Sequence, residues 1–233
     1  MPPAPRRPAR SRPLLTRGPS PAGGLPRLVE VALAAAGLLA AAPLLLLSAG
    51  AVVLTSGRPA LYRQRRVGRG GKPFTLVKLR TMRPSSGGPQ VTRRGDDRVT
   101  AVGRVLRRTK LDELPELWNV LRGDMSFVGP RPEVERFVQS DDPRWKEILR
   151  VRPGLTDPVT LSLRDEERLL ASVAGDPEAY YRETLQPLKL AGYVEYLRRR
   201  TWKTDLVVIC DTLRAIVVPS RARPPVRPDG ERS

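Results

Sequence analysis

The 233-residue chain contains no histidine and one cysteine, Cys210. The missing imidazole excludes His-based triads, histidine proton shuttles and HExxH zinc sites. One thiol cannot form an intramolecular disulfide or a multi-cysteine metal cage. Chemistry here falls to carboxylates, hydroxyls, arginine and lysine. A participating metal is expected to be a hard ion such as Mg²⁺ with oxygen ligands. Apolar residues make up 40% of the chain, enough for a packed core and too many for wholesale disorder.

Basic residues number 42 against 24 acidic ones, a formal charge of +18, and the excess is local. Residues 1–30 carry six arginines against Glu30, and residues 56–110 carry sixteen basic residues against Asp96 and Asp97. From Leu111 onward the chain is close to neutral, with 20 basic and 21 acidic residues. Such a block suits an anionic membrane face, a phosphate-rich substrate or nucleic acid. A merely solvated surface, or a codon-driven preference for arginine, gives the same count.

Val31 to Leu54 is a run of 24 residues without a charge. As a helix it covers ~36 Å, enough for a hydrocarbon core of about 30 Å. Arginines flank it on both sides, from Arg6 to Arg27 before and from Arg58 to Arg69 after. The positive-inside rule places both flanks in the cytoplasm, which one straight span cannot satisfy. Pro43 lies near the middle, where it removes a backbone hydrogen bond. These features predict a re-entrant membrane helix over residues 27–56 that breaks, dips into one leaflet and returns. An ordinary span with one unfavourable flank is the alternative.

The remaining expectations are coarser. Residues 1–26 and 219–233 read as disordered tails, with a cytoplasmic domain over 57–218. Gly68, Gly70, Gly71 and Pro73 mark the turn of a β-hairpin, and residues 83–98 read as a flexible loop. Leu111–Leu121 places Leu111, Leu114, Leu117, Trp118 and Leu121 on one helical face, with Thr109 as its candidate start. Segments from Trp145 to Ile216 are mostly helical, and Leu206–Val218 reads as an interfacial amphipathic helix or a core element. Trp145, Tyr180, Tyr181, Tyr193, Tyr196 and Trp202 suit either a headgroup boundary or a core. The fold class is α+β, mostly helical, with a small hairpin and amphipathic interfacial helices.

The chemistry concentrates between Arg107 and Arg131. Asp112 and Glu113 stand behind Arg107, Arg108 and Lys110, and are followed by Arg122, Asp124 and Gly129-Pro130-Arg131-Pro132. Carboxylates ringed by cations beside a helix start suit a phosphorylated ligand with its divalent metal. An adjacent acidic pair alone is more often a solvated helix start.

Four blocks carry a resemblance: Tyr62–Gly68 with Gly71–Phe74; Lys78-Leu79-Arg80-Thr81-Met82; Leu111–Val128 with Gly129-Pro130-Arg131-Pro132; and Arg152-Pro153-Gly154-Leu155-Thr156. Together with the apolar helix they cover residues ~28–215, and the chain resembles the bacterial sugar transferase family in its minimal, monotopic form. That resemblance implies transfer of a sugar 1-phosphate from a nucleotide diphosphate sugar, usually a UDP-sugar, to membrane polyprenyl (undecaprenyl) phosphate, with release of UMP. It implies Asp112 as nucleophile through an aspartyl-phosphosugar intermediate, and Glu113 as helper in holding Mg²⁺. Arg107 and Arg131 fall where the family binds phosphate; Lys78 and Arg80 are weaker candidates for that role, as is Asp124 for the metal. Also implied are the cytoplasmic face of the bacterial inner membrane, a first step in polysaccharide synthesis, and a conceivable homodimer. Nucleic acid is not an expected partner. After Thr156 the chain runs Asp157-Pro158-Val159-Thr160, where many relatives continue with Gly and a Gln-Val pair, which leaves the sugar open. Competing readings are a basic membrane-anchored adaptor for acidic lipid or nucleic acid, and an inactive scaffold homologue.

Overall fold

The computed structural model describes residues 23–83, 91–92, 95–139, 141–163, 166–173 and 175–217. Most of the expected N-terminal tail, all of the C-terminal one and the centre of the 83–98 loop lie outside these residues.

The alanine- and leucine-rich run forms α1, Arg27–Ser56, a single helix of 30 residues. Helical backbone continues through Pro43, where the sequence predicted a break. One missing N–H is a small fraction of so long a ladder. Glu30, Ala34, Ser48 and Val52 are buried, and Leu38, Leu45 and Ala49 are packed between them. Their spacing of three to four residues is one helical stripe, so α1 lies along the rest of the protein rather than projecting from it. The opposite face exposes Leu28, Leu39, Leu46, Leu47 and Leu54.

The helix stops at Gly57, whose φ of 75° is costly for other residues. The chain then forms the predicted hairpin, with β1 (Leu61–Val67) antiparallel to β2 (Pro73–Leu79). Gly70 and Gly71 turn it with φ of 69° and 75°.

Helix α2, Ala101–Thr109, opens on Thr100, whose hydroxyl accepts from Gly103 N at 2.9 Å. Thr109, the expected helix start, is instead the last residue of α2. Its hydroxyl donates back to Val105 O at 2.8 Å, the alternative bond open to any threonine at a helix end. Lys110 then takes a left-handed conformation, φ 59°. A short 3₁₀ turn, Leu111–Glu113, leads past Pro115 into α3, Glu116–Arg122. The predicted apolar face is therefore split between two elements. Leu117 and Val120 point into the core, while Trp118 is 52% exposed.

Two three-residue strands, β3 (Ser126–Val128) and β4 (Gly154–Thr156), pair in parallel. Just past β3 the backbone nearly touches the start of β4: a Cβ on Gly154 would lie 2.1 Å from Gly129 N. Between the strands runs α4, Pro143–Ile148. After β4 come α5 (Pro158–Ser162), α6 (Glu166–Ala171), α7 (Pro177–Tyr180), a π-helical turn (Tyr181–Leu185), α8 (Gln186–Arg199) and α9 (Trp202–Val217).

One core joins α4, α8, α9 and β3 through Trp145, Ile148, Tyr193, Tyr196 and Val208. A second joins α1, α3 and β2 through Ala34, Leu76, Leu117 and Met125. Trp145, Tyr181, Tyr193 and Tyr196 are thus core residues, whereas Trp202 is exposed.

Both ends of α1 are tied to this body. At the start, Arg27 donates to Val120 O and Met125 O, and buried Glu30 accepts from the Ser126 hydroxyl and Phe127 N. Just before it, Leu25 N donates to Asp205, which also binds Arg200. Residues 23–26 of the expected tail are therefore held in place. At the other end, Arg80 donates to Ser56 O at 2.7 Å, Arg58 O at 3.2 Å and Gly57 O.

Candidate active site

The left-handed joint at Lys110 turns the chain sharply after α2 and aims the next residues into an open cleft. Asp112, Glu113, Lys78, Arg107 and Arg131 all line it. Asp112 is only 7% exposed, and its Oδ1 has no hydrogen-bond partner among the described residues. Burial pushes its carboxyl upward and Glu113 adds to this, against the pull of Lys78, Lys110 and Arg107.

Glu113 is the opposite case. Its Oε1 lies 2.8 Å from Arg131, 3.2 Å from Lys78 and 3.5 Å from Lys110. Burial works to raise it, but Lys78, Arg131 and Lys110 together hold it well below the usual carboxylate range. The same contact raises the Arg131 guanidinium well above its ordinary value, in spite of burial. Lys78 also meets Glu116 at 2.9 Å. Glu116 was missed from the sequence, although its position three residues after Glu113 was a usable signal.

The other expected site residues divide. Arg107 reaches the cleft, with Nε on the Thr81 hydroxyl at 3.1 Å and Nη1 on Glu167 at 2.9 Å. Arg80 lines the cleft, with both terminal nitrogens on the carbonyls at the end of α1 and its buried Nε without a partner among the described residues. Asp124 is not brought to the cluster. It follows the C-terminal end of α3, where it accepts from Asn119 at 3.2 Å, whereas Asp112 precedes the N-terminal end.

Among the described residues no three acidic, histidine or cysteine side chains converge as a metal cage. Asp112 and Glu113 supply two carboxylates, one with an unpartnered buried oxygen. That donor set fits Mg²⁺, which characteristically takes one or two carboxylates and completes its shell with substrate phosphate and water.

Asp157, at the departure from the family pattern, is fully buried and caps α5: Oδ1 accepts from Thr160 N and Oδ2 from the Thr160 hydroxyl, both at 2.6 Å.

Residues 23–219 match the family model described as bacterial sugar transferase. The chain is 40% identical over 215 residues to a UDP-glucose:undecaprenyl-phosphate glucose-1-phosphate transferase of Caulobacter vibrioides, covering 87% of this chain and 76% of that protein. It is 35% identical over 214 residues to the exopolysaccharide production protein ExoY of Sinorhizobium fredii, covering 84% and 87%. A UDP-N-acetylgalactosamine-undecaprenyl-phosphate N-acetylgalactosaminephosphotransferase of Aeromonas hydrophila is 44% identical over 119 residues, 49% of this chain and 28% of that protein. With a match running from the foot of α1 to beyond α9, this chain belongs to the bacterial sugar transferase family.

Proposed function

We propose that this protein transfers a sugar 1-phosphate from a UDP-sugar to undecaprenyl phosphate, releasing UMP, as an early membrane step of polysaccharide synthesis. The observation that carries the reading is the unpartnered, buried Asp112 oxygen beside a glutamate held by three cations. The relatives' activities set the substrate class.

In the first half-reaction a carboxylate oxygen of Asp112 attacks the sugar-side phosphorus. The new carboxyl–phosphate bond forms as the bond to the UMP oxygen breaks, and UMP leaves with that electron pair. A phosphate oxygen of the polyprenyl acceptor then attacks the same phosphorus and frees the Asp112 carboxylate. No base is needed, which suits a chain without histidine. Desolvation of Asp112 strips water from the nucleophile, and Glu113, fixed by Lys78, Lys110 and Arg131, stays ionised beside it. Arg107 on the near wall is placed to neutralise the diphosphate. When bound by Asp112, Glu113 and the substrate's phosphates, Mg²⁺ supplies further charge neutralisation.

The membrane geometry supports the same reading. Immersing the exposed apolar face of α1 places the cleft at headgroup level, where a lipid phosphate and a soluble nucleotide can meet. The tail stays in the bilayer, since exposing it costs ~0.8 kcal/mol per CH₂. We read α1 as a non-crossing element lying in one leaflet, because both its ends dock on the same domain and its helical backbone runs unbroken. The domain then faces the cytoplasm on the inner membrane.

The test incubates detergent-solubilised protein with Mg²⁺, undecaprenyl phosphate and a panel of UDP-sugars, with UMP release as readout. Turnover is expected with at least one sugar, and Asp112→Asn is expected to abolish both turnover and the covalent phosphosugar adduct. Full activity in that variant overturns the nucleophile assignment.

A further inference from the structure

The cleft has a second polar cluster that the transfer chemistry does not use. Glu133, one residue beyond Arg131-Pro132, accepts from the Tyr181 hydroxyl through Oε2 and from Arg66 at 3.3 Å through Oε1. Lys189 reaches Glu166 at 3.0 Å and lies 5.0 Å from the centre of the Tyr181 ring. Tyr181 and Lys189 are buried, yet all five side chains line the same cleft as Asp112. Tyr181 opens the π-helical turn between α7 and α8, a local irregularity common at functional sites.

The two walls of the cleft differ in charge. The α2 wall presents Arg104, Arg107 and Arg108. The α8 wall, made by α8 with the loop after β3 and the start of α6, holds two carboxylates, Glu133 and Glu166, each paired with one cation. Carboxylates repel a nucleotide phosphate, but they accept two hydroxyl hydrogen bonds well, and the paired cations supply donors beside them. The donor's anionic end therefore belongs to the α2 wall. The neutral, hydroxyl-rich end belongs to the α8 wall.

On this basis we propose that Glu133, Tyr181, Glu166 and Lys189 form the subsite that reads the donor's sugar and sets which UDP-sugar is used. The inference rests on the transferase reading above and deepens it.

The experiment compares wild type with Glu166→Gln and Tyr181→Phe, measuring kcat/KM for UDP-glucose, UDP-galactose and their N-acetylamino counterparts, together with inhibition by UMP. Either variant is expected to change the ratio of kcat/KM between sugars by ~10-fold or more, as one lost hydrogen bond to a charged group would. The UMP inhibition constant is expected to stay within about twofold of wild type, because UMP lacks the sugar. Arg107→Gln is expected to do the reverse, weakening UMP while leaving the sugar ratios unchanged. Thermal melts verify folding, and Tyr181→Phe, which removes a single oxygen, keeps the test decisive if Glu166→Gln does not fold. Equal losses for every sugar, or UMP inhibition that weakens in step, overturns the subsite. Wild type that releases UMP from no sugar would instead overturn the transferase reading itself.

Discussion

At the residue scale, the same side-chain type does different work according to what the backbone offers it. Arg107 and Arg80 stand in neighbouring basic blocks, and only the family resemblance ranked Arg107 above Arg80 as a phosphate ligand. The structure separates them because α1 ends beside Arg80, which donates to the Ser56, Gly57 and Arg58 carbonyls there. Arg80→Gln is therefore expected to lower unfolding stability by ~2 kcal/mol while KM for the UDP-sugar holds, measured by denaturant titration beside steady-state kinetics. Asp157 offers a test by pH. Burial raises its carboxyl, against two bonds from Thr160 and the pull of Arg131 and Lys189. A raised native value means the folded chain binds that proton more tightly than the unfolded chain, so this group's contribution falls as pH climbs past the ordinary aspartate range. Asp157→Asn keeps an acceptor for the cap and is expected to raise stability at neutral pH, the gain vanishing in acid. Asp157→Ala loses the cap and is expected to cost ~1 kcal/mol. From the sequence Asp157 was noted only as a departure from a pattern; Asp157-Pro158 is a local helix-start signal, but nothing local reveals that its cap is fully buried.

At the element scale, the hairpin and the long apolar helix were legible, since glycine turns and uncharged runs are local signals. The segment around the nucleophile was less so. Its leucines obey one helical period on paper, but the left-handed Lys110 and Pro115 divide it into a helix end, a tight turn and a short helix. The parallel pairing of β3 and β4 was invisible, as each strand is three residues long and its partner lies nearly thirty positions away. What the motifs did carry was the glycines. Gly154→Ala drives a methyl into the Gly129 backbone and is expected to cost about 3 kcal/mol or more, seen as a lowered melting temperature or loss of soluble protein. Glu30→Ala leaves the Ser126 hydroxyl, Phe127 N and Arg27 without their acceptor, and is expected to cost ~2–3 kcal/mol.

At the scale of the whole molecule, the charge imbalance was the most readable feature and the arrangement of the cleft the least. Composition located the cations, but only folding brings Lys78 of the hairpin and Arg131 of the β3 loop onto one glutamate. The position of α1 yields a topological prediction. In a Cys210→Ser background, cysteines introduced at Ser20 and Ser56 are both expected to resist an impermeant reagent added from the periplasmic side; labelling of only one would establish a crossing helix. A spanning segment must match the width of its host bilayer, and mismatch costs it energy for every ångström. A helix fastened at both ends to one domain answers to no such ruler. Turnover is accordingly expected to change little across nanodiscs of short and long acyl chains, so the protein would work in membranes of differing width without adjusting its length.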